Sequence, residues 1–312
     1  MKGLELSRLY YENFGAEAIK NAFYEFKDRI AIGLAGEGSE CFGFDDELSQ
    51  DHDFEPAFCM WVTKEDYSKI GFSLERLYDS LPKEFSGFKK QIEAPAYGKR
   101  HGVIVIDDFY TKFLGTPTAP QSLEQWLYLP SHSLDASCNG EVFCDTLGEF
   151  SKIRGELLKG YPQDVKLKKL SAHLTMMLQT GLYNYPRLIK RGERGAAQLC
   201  VFEFVKHTIS AVFLINNVYE PFYKWVYKSL RKLDVLSELE ASLVSLTELG
   251  NEDFEAEAKL QSMEEISALI VDELKKQNLI NSGGTDLQRC ALELQNKISD
   301  NTLRNMHILE GI

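Results

Sequence analysis

The chain contains no CxxC pair. Its cysteines, Cys41, Cys59, Cys138, Cys144, Cys200 and Cys290, are scattered, so a structural zinc site is not indicated. The N-terminus, Met1 to Arg8, has no apolar stretch of the signal-peptide kind, and no run approaches the roughly 18 apolar residues of a membrane span. A cytoplasmic protein with reduced thiols and no membrane attachment is therefore expected. Basic residues are in deficit, 35 Lys and Arg against 47 Asp and Glu, for a formal net charge of −12. That balance argues against general nucleic-acid binding, which needs cations to neutralise phosphates, but leaves room for one local basic pocket. Internal repeats and low-complexity segments are also missing. What remains is the composition of an ordinary soluble globular protein, 44% apolar and 26% charged, with 312 residues that suit two domains.

Apolar spacing predicts a helix over 5–29 (Leu6, Leu9, Tyr10, Phe14, Ala18, Ile19) and another over 64–81. Short apolar runs at 30–35 and 57–63, and the run Val103–Ile106 that leads into Asp107 and Asp108, read as strands. The stretch Gly115-Thr116-Pro117-Thr118-Ala119-Pro120 reads as a linker. Beyond it helical spacing dominates, over 163–185, 195–218, 235–248, 256–279 and 285–299. Pro221 is placed to open one helix, and Gly283-Gly284 to separate the last two. The expected fold class is α+β: a small mixed-sheet domain over 1–118, then an α-helical domain with a helical tail over 119–312.

The most informative stretch is Gly36-Glu37-Gly38-Ser39, followed after a loop by Asp51-His52-Asp53. Glycine takes positive φ and lets the backbone approach a ligand closely, and successive N–H groups in such a turn form an anion-binding nest. Asp51 and Asp53, at i and i+2, share one face of an extended strand. Two carboxylates so placed repel unless a cation or a proton lies between them. Oxygen ligands without a His or Cys cluster suit Mg²⁺ bound together with substrate phosphates. Asp45, Asp46 and Glu47 read as a solvated loop, and His52 as a packed or hydrogen-bonded residue. Cys41 has no His partner to make it a nucleophile.

The Gly38-Ser39 turn after a strand, with Asp51-His52-Asp53 at this distance, resembles the polymerase-β-type nucleotidyltransferase superfamily. His52, and Glu37 before the glycine, depart from the apolar residues usual there. Together with Asn139-Gly140-Glu141-Val142-Phe143, Tyr183-Asn184-Tyr185-Pro186-Arg187 and Tyr219-Glu220-Pro221-Phe222-Tyr223-Lys224-Trp225, the pattern is similar to a bacterial nucleotidyltransferase-like subfamily of unknown function. The resemblance implies that Gly36, Gly38 and Ser39 hold the phosphates of a nucleoside triphosphate, ATP being expected. It also implies that Asp51 and Asp53 bind Mg²⁺, with a third carboxylate from Asp107 or Asp108; we favour Asp107. A nucleoside monophosphate would pass to a small-molecule or protein hydroxyl. Arg187, Arg191 and Lys224 are candidate nucleotide or acceptor contacts. The same basic cluster, Arg187 to Arg194, equally reads as a helix C-terminus whose cations answer the macrodipole, and Tyr219 to Trp225 as core or as a base-stacking shelf. A non-catalytic nucleotide-binding regulator, or one partner of a toxin–antitoxin pair, are the alternatives on the same scaffold.

Overall fold

The computed structural model describes residues 1–50, 54–90, 99–281, 284 and 286–312. In chain order the first elements are α1 (Gly3–Tyr10), α2 (Ala16–Ala22), β1 (Ala31–Leu34), β2 (Cys59–Val62) and α3 (Lys64–Ser80). Then come β3 (Glu84–Phe85), β4 (Phe88–Lys89), β5 (Gly102–Val105), α4 (Ile106–Leu114), α5 (Leu123–Tyr128), α6 (Ser131–Cys138), β6 (Glu141–Cys144) and α7 (Glu149–Leu157). The rest is helical: α8 (Gln163–Met177), α9 (Tyr185–Lys190), α10 (Arg194–Ile215), α11 (Val226–Leu230), α12 (Leu239–Glu248), α13 (Asp253–Lys276), α14 (Leu287–Asn296) and α15 (Asn301–Asn305). The fold class is α+β, as the segmentation predicts.

The chain divides into two compact units. The first takes 1–120 and 132–159, the second 121–131 and 160–312. The boundary differs from the one drawn at 118, because the chain returns to the first unit to add α7 and a further strand, β6. That strand has little sequence signal: Glu141-Val-Phe-Cys144 is half-buried throughout, with none of the alternation that marks a strand by itself.

In the first unit the sheet order is β5-β2-β1-β6. β1 runs antiparallel to both β2 and β6, and β2 runs parallel to β5, a pairing that needs a crossover, here supplied by α3. One face of the sheet packs Ile32, Met60, Val62 and Val103 against Tyr10, Ile19, Ile70 and Leu74 of the first three helices. On the other, Trp61 stacks on Phe150 of α7 at 3.9 Å and meets Phe109 of α4 edge-on. Thr63 caps α3 by accepting from the Asp66 N–H at 3.1 Å, and buried Asp66 is held by Arg29 at 2.9 Å. This is the side-chain capping that favours a helix start.

Several sequence expectations are corrected here. The N-terminal helix ends at Ala22 rather than continuing to 29. The third strand stops at Val105, so Asp107 and Asp108 lie in the first turn of α4 rather than at a strand end; two acids there complement the helix dipole. Pro221 is followed by a 3-10 turn, Tyr223–Trp225, before α11 begins. Asp45 is not solvated: it is buried, and its Oδ2 accepts the Gly3 N–H at 2.8 Å, tying down the start of α1. Gly283 lies outside the described residues.

The second unit is built around α10, which packs on α8. α10 is long and apolar enough to cross a membrane, although most of that stretch is buried. Buried lysines substitute for apolar core at the edges. Lys168 donates to the His307 carbonyl at 2.6 Å, and Lys259 to Gln198 Oε1 at 2.8 Å. Between α8 and α10, His173 Nδ1 lies 2.9 Å from His207 Nδ1, and His207 Nε2 lies 3.3 Å from Glu203. Burial pushes both imidazoles down, His207 to about 4.

Both groups therefore take up protons more readily unfolded than folded. Stability is predicted to be lost as pH falls from about 6.5 to about 4, on the order of 3 kcal/mol for His207. Denaturant midpoints measured from pH 7 to pH 4 check this, and His207→Gln should flatten the slope.

Candidate functional site

β1 ends at Leu34, and the chain turns through Gly36 and Gly38 with φ of +117° and +130°. The turn is clasped by a residue more than a hundred positions away. Asn139 Oδ1 accepts the Gly36 N–H at 2.8 Å, and Asn139 Nδ2 donates to the Gly36 carbonyl at 2.8 Å. The neighbouring Gly140 N–H donates to the Cys41 carbonyl at 3.0 Å. Gly140 has φ +63°, and a Cβ there would stand 2.0 Å from the Leu34 oxygen, so no side chain fits. Arg154 of α7 donates to the Gly140 carbonyl at 3.1 Å from behind.

This clasp changes what the turn can offer a ligand. The Gly36 N–H is already satisfied by Asn139 and is not a phosphate donor, contrary to the expectation for Gly36. Among the described residues, the N–H groups of Glu37, Gly38 and Ser39 take no hydrogen-bond partner. The Ser39 carbonyl accepts from Phe42 at 3.2 Å and Phe44 at 2.9 Å, closing the turn below them.

Arg100 lies against the same turn. Its Nη2 donates to the Glu37 carbonyl and to buried Glu40 Oε1, both at 2.8 Å. A Cβ on Gly38 would sit 2.3 Å from that Nη2 and 2.4 Å from Glu40 Oε1, and the Gly38 φ of +130° itself favours glycine. Lys112 pairs with Glu37 Oε2 at 2.8 Å. At the same end of the sheet His101 Nδ1 meets Glu55 Oε1 at 3.1 Å. The Cys41 thiol is pushed up chiefly by burial, with Glu40 adding to it. Cys41 is thus a neutral packed group and not a nucleophile.

A cavity of about 300 Å³ opens beside the turn, flanking β5 between α3 and α4. Its wall runs from Gly36 and Arg100 to Asp108, and includes Tyr67, Phe109 and Phe113. That volume is at the lower end of the small-molecule range.

Asp51 and Asp53 lie outside the described residues. Among those described, no three His, Cys, Asp or Glu side chains gather as a metal site requires. Asp107 and Asp108 follow the C-terminal end of β5, whereas the glycine turn adjoins its N-terminal end, because Gly102 pairs with Cys59 and Cys59 with Gly33. The length of β5, 4 residues at about 3.3 Å each, puts roughly 10 Å of strand between the two ends. Asp108 reaches the cavity wall and Asp107 is not among the wall residues, so the structure does not bring Asp107 to the turn.

The basic residues named from the sequence belong to the second unit. Arg187 is in the last turn of α9, its guanidinium 3.6 Å from the Tyr183 ring centre, and Arg191 caps that helix. Both are exposed, in the position where cations complement a helix C-terminus. Arg194 pairs with Glu252 at 2.7 Å. Lys224 is exposed, with its Nζ 5.1 Å from the Trp225 ring centre. Tyr219 is core, edge-on to Tyr161, while Phe222 and Tyr223 are exposed.

Sequence reasoning missed Arg100, Glu40, His101 and Glu55, whose pairings span loops with no local pattern. Asn139-Gly140 was singled out only by resemblance; its structural use is the clasp.

A family model described as a domain of unknown function, DUF4037, matches residues 126–226, under half of the chain. The matched stretch contains Asn139 and Gly140 and ends at the start of α11, but does not contain the glycine turn itself. No curated protein and no solved structure matches the chain.

Asn139→Ala should strand the Gly36 amide and carbonyl and cost about 2 kcal/mol in denaturant unfolding. Asn139→Asp, which keeps the acceptor and loses the donor, should cost less.

Proposed function

We propose that the protein is a Mg²⁺-dependent nucleotidyltransferase of the cytoplasm. In this reading it moves a nucleoside monophosphate, AMP being favoured, from a triphosphate to a small-molecule or protein hydroxyl. The observation that carries the proposal is the turn after β1, where positive-φ glycines present the N–H groups of Gly38 and Ser39 without an internal partner, beside the Arg100 guanidinium. Such a concavity suits phosphate oxygens. The resemblance of Asp51-His52-Asp53 to the superfamily's metal pair supports it from the sequence side.

The chain's own residues divide the work. Gly38 and Ser39 would bind the terminal phosphates, with Gly36 held rigid by Asn139 and so acting as a positioning residue. Arg100, paired with Glu40 and donating to the Glu37 carbonyl, would hold the turn in shape as a second positioning residue. Asp51 and Asp53 would hold Mg²⁺, which supplies neutralisation of phosphate charge and alignment. The acceptor oxygen forms a bond to the α-phosphorus, the bond to the β-phosphate oxygen breaks, pyrophosphate leaves and the hydroxyl proton is released. Asp107, the third carboxylate expected from the resemblance, follows the end of β5 away from the turn, and its expected partners Asp51 and Asp53 lie outside the described residues.

A nucleotide-binding regulator is the second reading. It is favoured by one observation: the described carboxylates Glu37, Glu40 and Glu55 at this end of the sheet are engaged by Lys112, Arg100 and His101.

Incubation with α-labelled nucleoside triphosphates and Mg²⁺ in fractionated extract should release pyrophosphate and label an acceptor. Asp51→Asn and Asp53→Asn should abolish release while melting curves stay unchanged. Ser39→Ala should weaken Mg·ATP binding about tenfold, or ~1.4 kcal/mol. Normal turnover in either aspartate variant defeats the mechanism, and nucleotide binding without any label transfer leaves the regulator.

A further inference from the structure

The charges on the cavity wall are unequal in their pairing. Lys112 is taken by Glu37 at 2.8 Å, Lys99 by Glu75 at 2.7 Å, and Arg100 by Glu40 at 2.8 Å. Tyr67 donates its hydroxyl to the same Glu75 at 3.0 Å. Asp108 is the exception: among the described residues it has neither a hydrogen bond nor an ion pair, and it is exposed where it lines the cavity. Its field is felt across the opening, where it adds to Glu75 in raising the Tyr67 phenol.

An anionic occupant would have to pull the lysines and the arginine from their carboxylates. A cationic one meets a carboxylate that is not engaged, because among the described wall residues the charge left over is the negative one of Asp108. The remaining wall is aromatic and aliphatic: Tyr67, Phe109, Phe113, Ile104 and the β5 valines, with Lys112 Nζ 5.2 Å from the Phe113 ring centre and Tyr67 and Phe109 left to face an occupant. A carboxylate beside aromatic rings is the chemistry that binds organic ammonium ions, through the ion pair and through attraction to the ring faces.

We propose that this cavity binds an organic amine, whose ammonium pairs with Asp108 and whose carbon frame lies along Tyr67 and Phe109. The volume of about 300 Å³ limits it to a small molecule. Gly36 and Glu37 line the same cavity as Asp108, so the cavity adjoins the turn. That this amine is the nucleotide acceptor rests on the function proposed above; that it binds does not.

The test is calorimetric titration of the full chain with phenethylamine, 2-phenylethanol and 3-phenylpropionate, matched frames that differ in charge. Phenethylamine should bind at least tenfold more tightly than either of the others. Asp108→Asn should remove that preference. Asp107→Asn, which deletes the same charge from the same helical turn but off the wall, should keep it. Ser39→Ala should leave amine binding unchanged while weakening Mg·ATP, so loss of the nucleotide reading and loss of this one show separately. Equal binding of the three compounds, no binding of any, or an Asp107→Asn effect as large as that of Asp108→Asn overturns the proposal.

Discussion

A single side-chain amide sets the geometry on which the candidate site depends. Asn139 pairs with both the N–H and the carbonyl of Gly36, doing for one residue what a neighbouring strand does for many. β6 follows directly and extends the contact as a ladder to β1. Without that clasp, a turn with two left-handed glycines would lose conformational entropy on ordering with little to offset it. With it, Gly38 and Ser39 are presented on a fixed backbone. The clasp also explains why the first unit recruits residues 132–159 from beyond α5.

Electrostatics around the turn are arranged in pairs. Arg100 is packed over Gly38 with only 17% of its side chain exposed, against a carboxylate that is 9% exposed. A guanidinium and carboxylate this dry are held by their mutual attraction and by the Glu37 carbonyl, and removing either one leaves a buried charge alone. Charge at the turn is thus balanced, Arg100 against Glu40 and Lys112 against Glu37. The second unit uses its buried cations differently, as Lys168 and Lys259 satisfy carbonyl and amide oxygens at the seams between helices.

Much of the fold was legible because short apolar runs and helical spacing are local signals. β1, β2, α3 and α10 fall within a few residues of their expected bounds. The errors have a common cause, which is that distant partners decide them. Val103 to Ile106 is one apolar run, yet its last residue starts α4, because the strand is as long as its pairing with β2 allows. Glu141 to Cys144 carries no strand pattern and is a strand only because β1 offers an edge. Asp45 looks like one more acid in an acidic loop, and its burial follows from the Gly3 N–H it satisfies. Of the candidate site, the glycine turn was readable because positive φ demands glycine. Arg100 was not, since nothing near it in sequence shows that it will lie against Gly38. The Asp107 assignment depended on a strand end that proved to be a helix start.

The central claim is that the Gly38 and Ser39 amides receive phosphate while the Gly36 amide stays with Asn139. Amide chemical shifts of the deuterated, ¹⁵N-labelled protein, recorded as Mg·ATP is added, test it most directly. The account predicts large shifts at Gly38 and Ser39 and little change at Gly36. Saturable ATP binding that leaves Gly38 and Ser39 unmoved would contradict it.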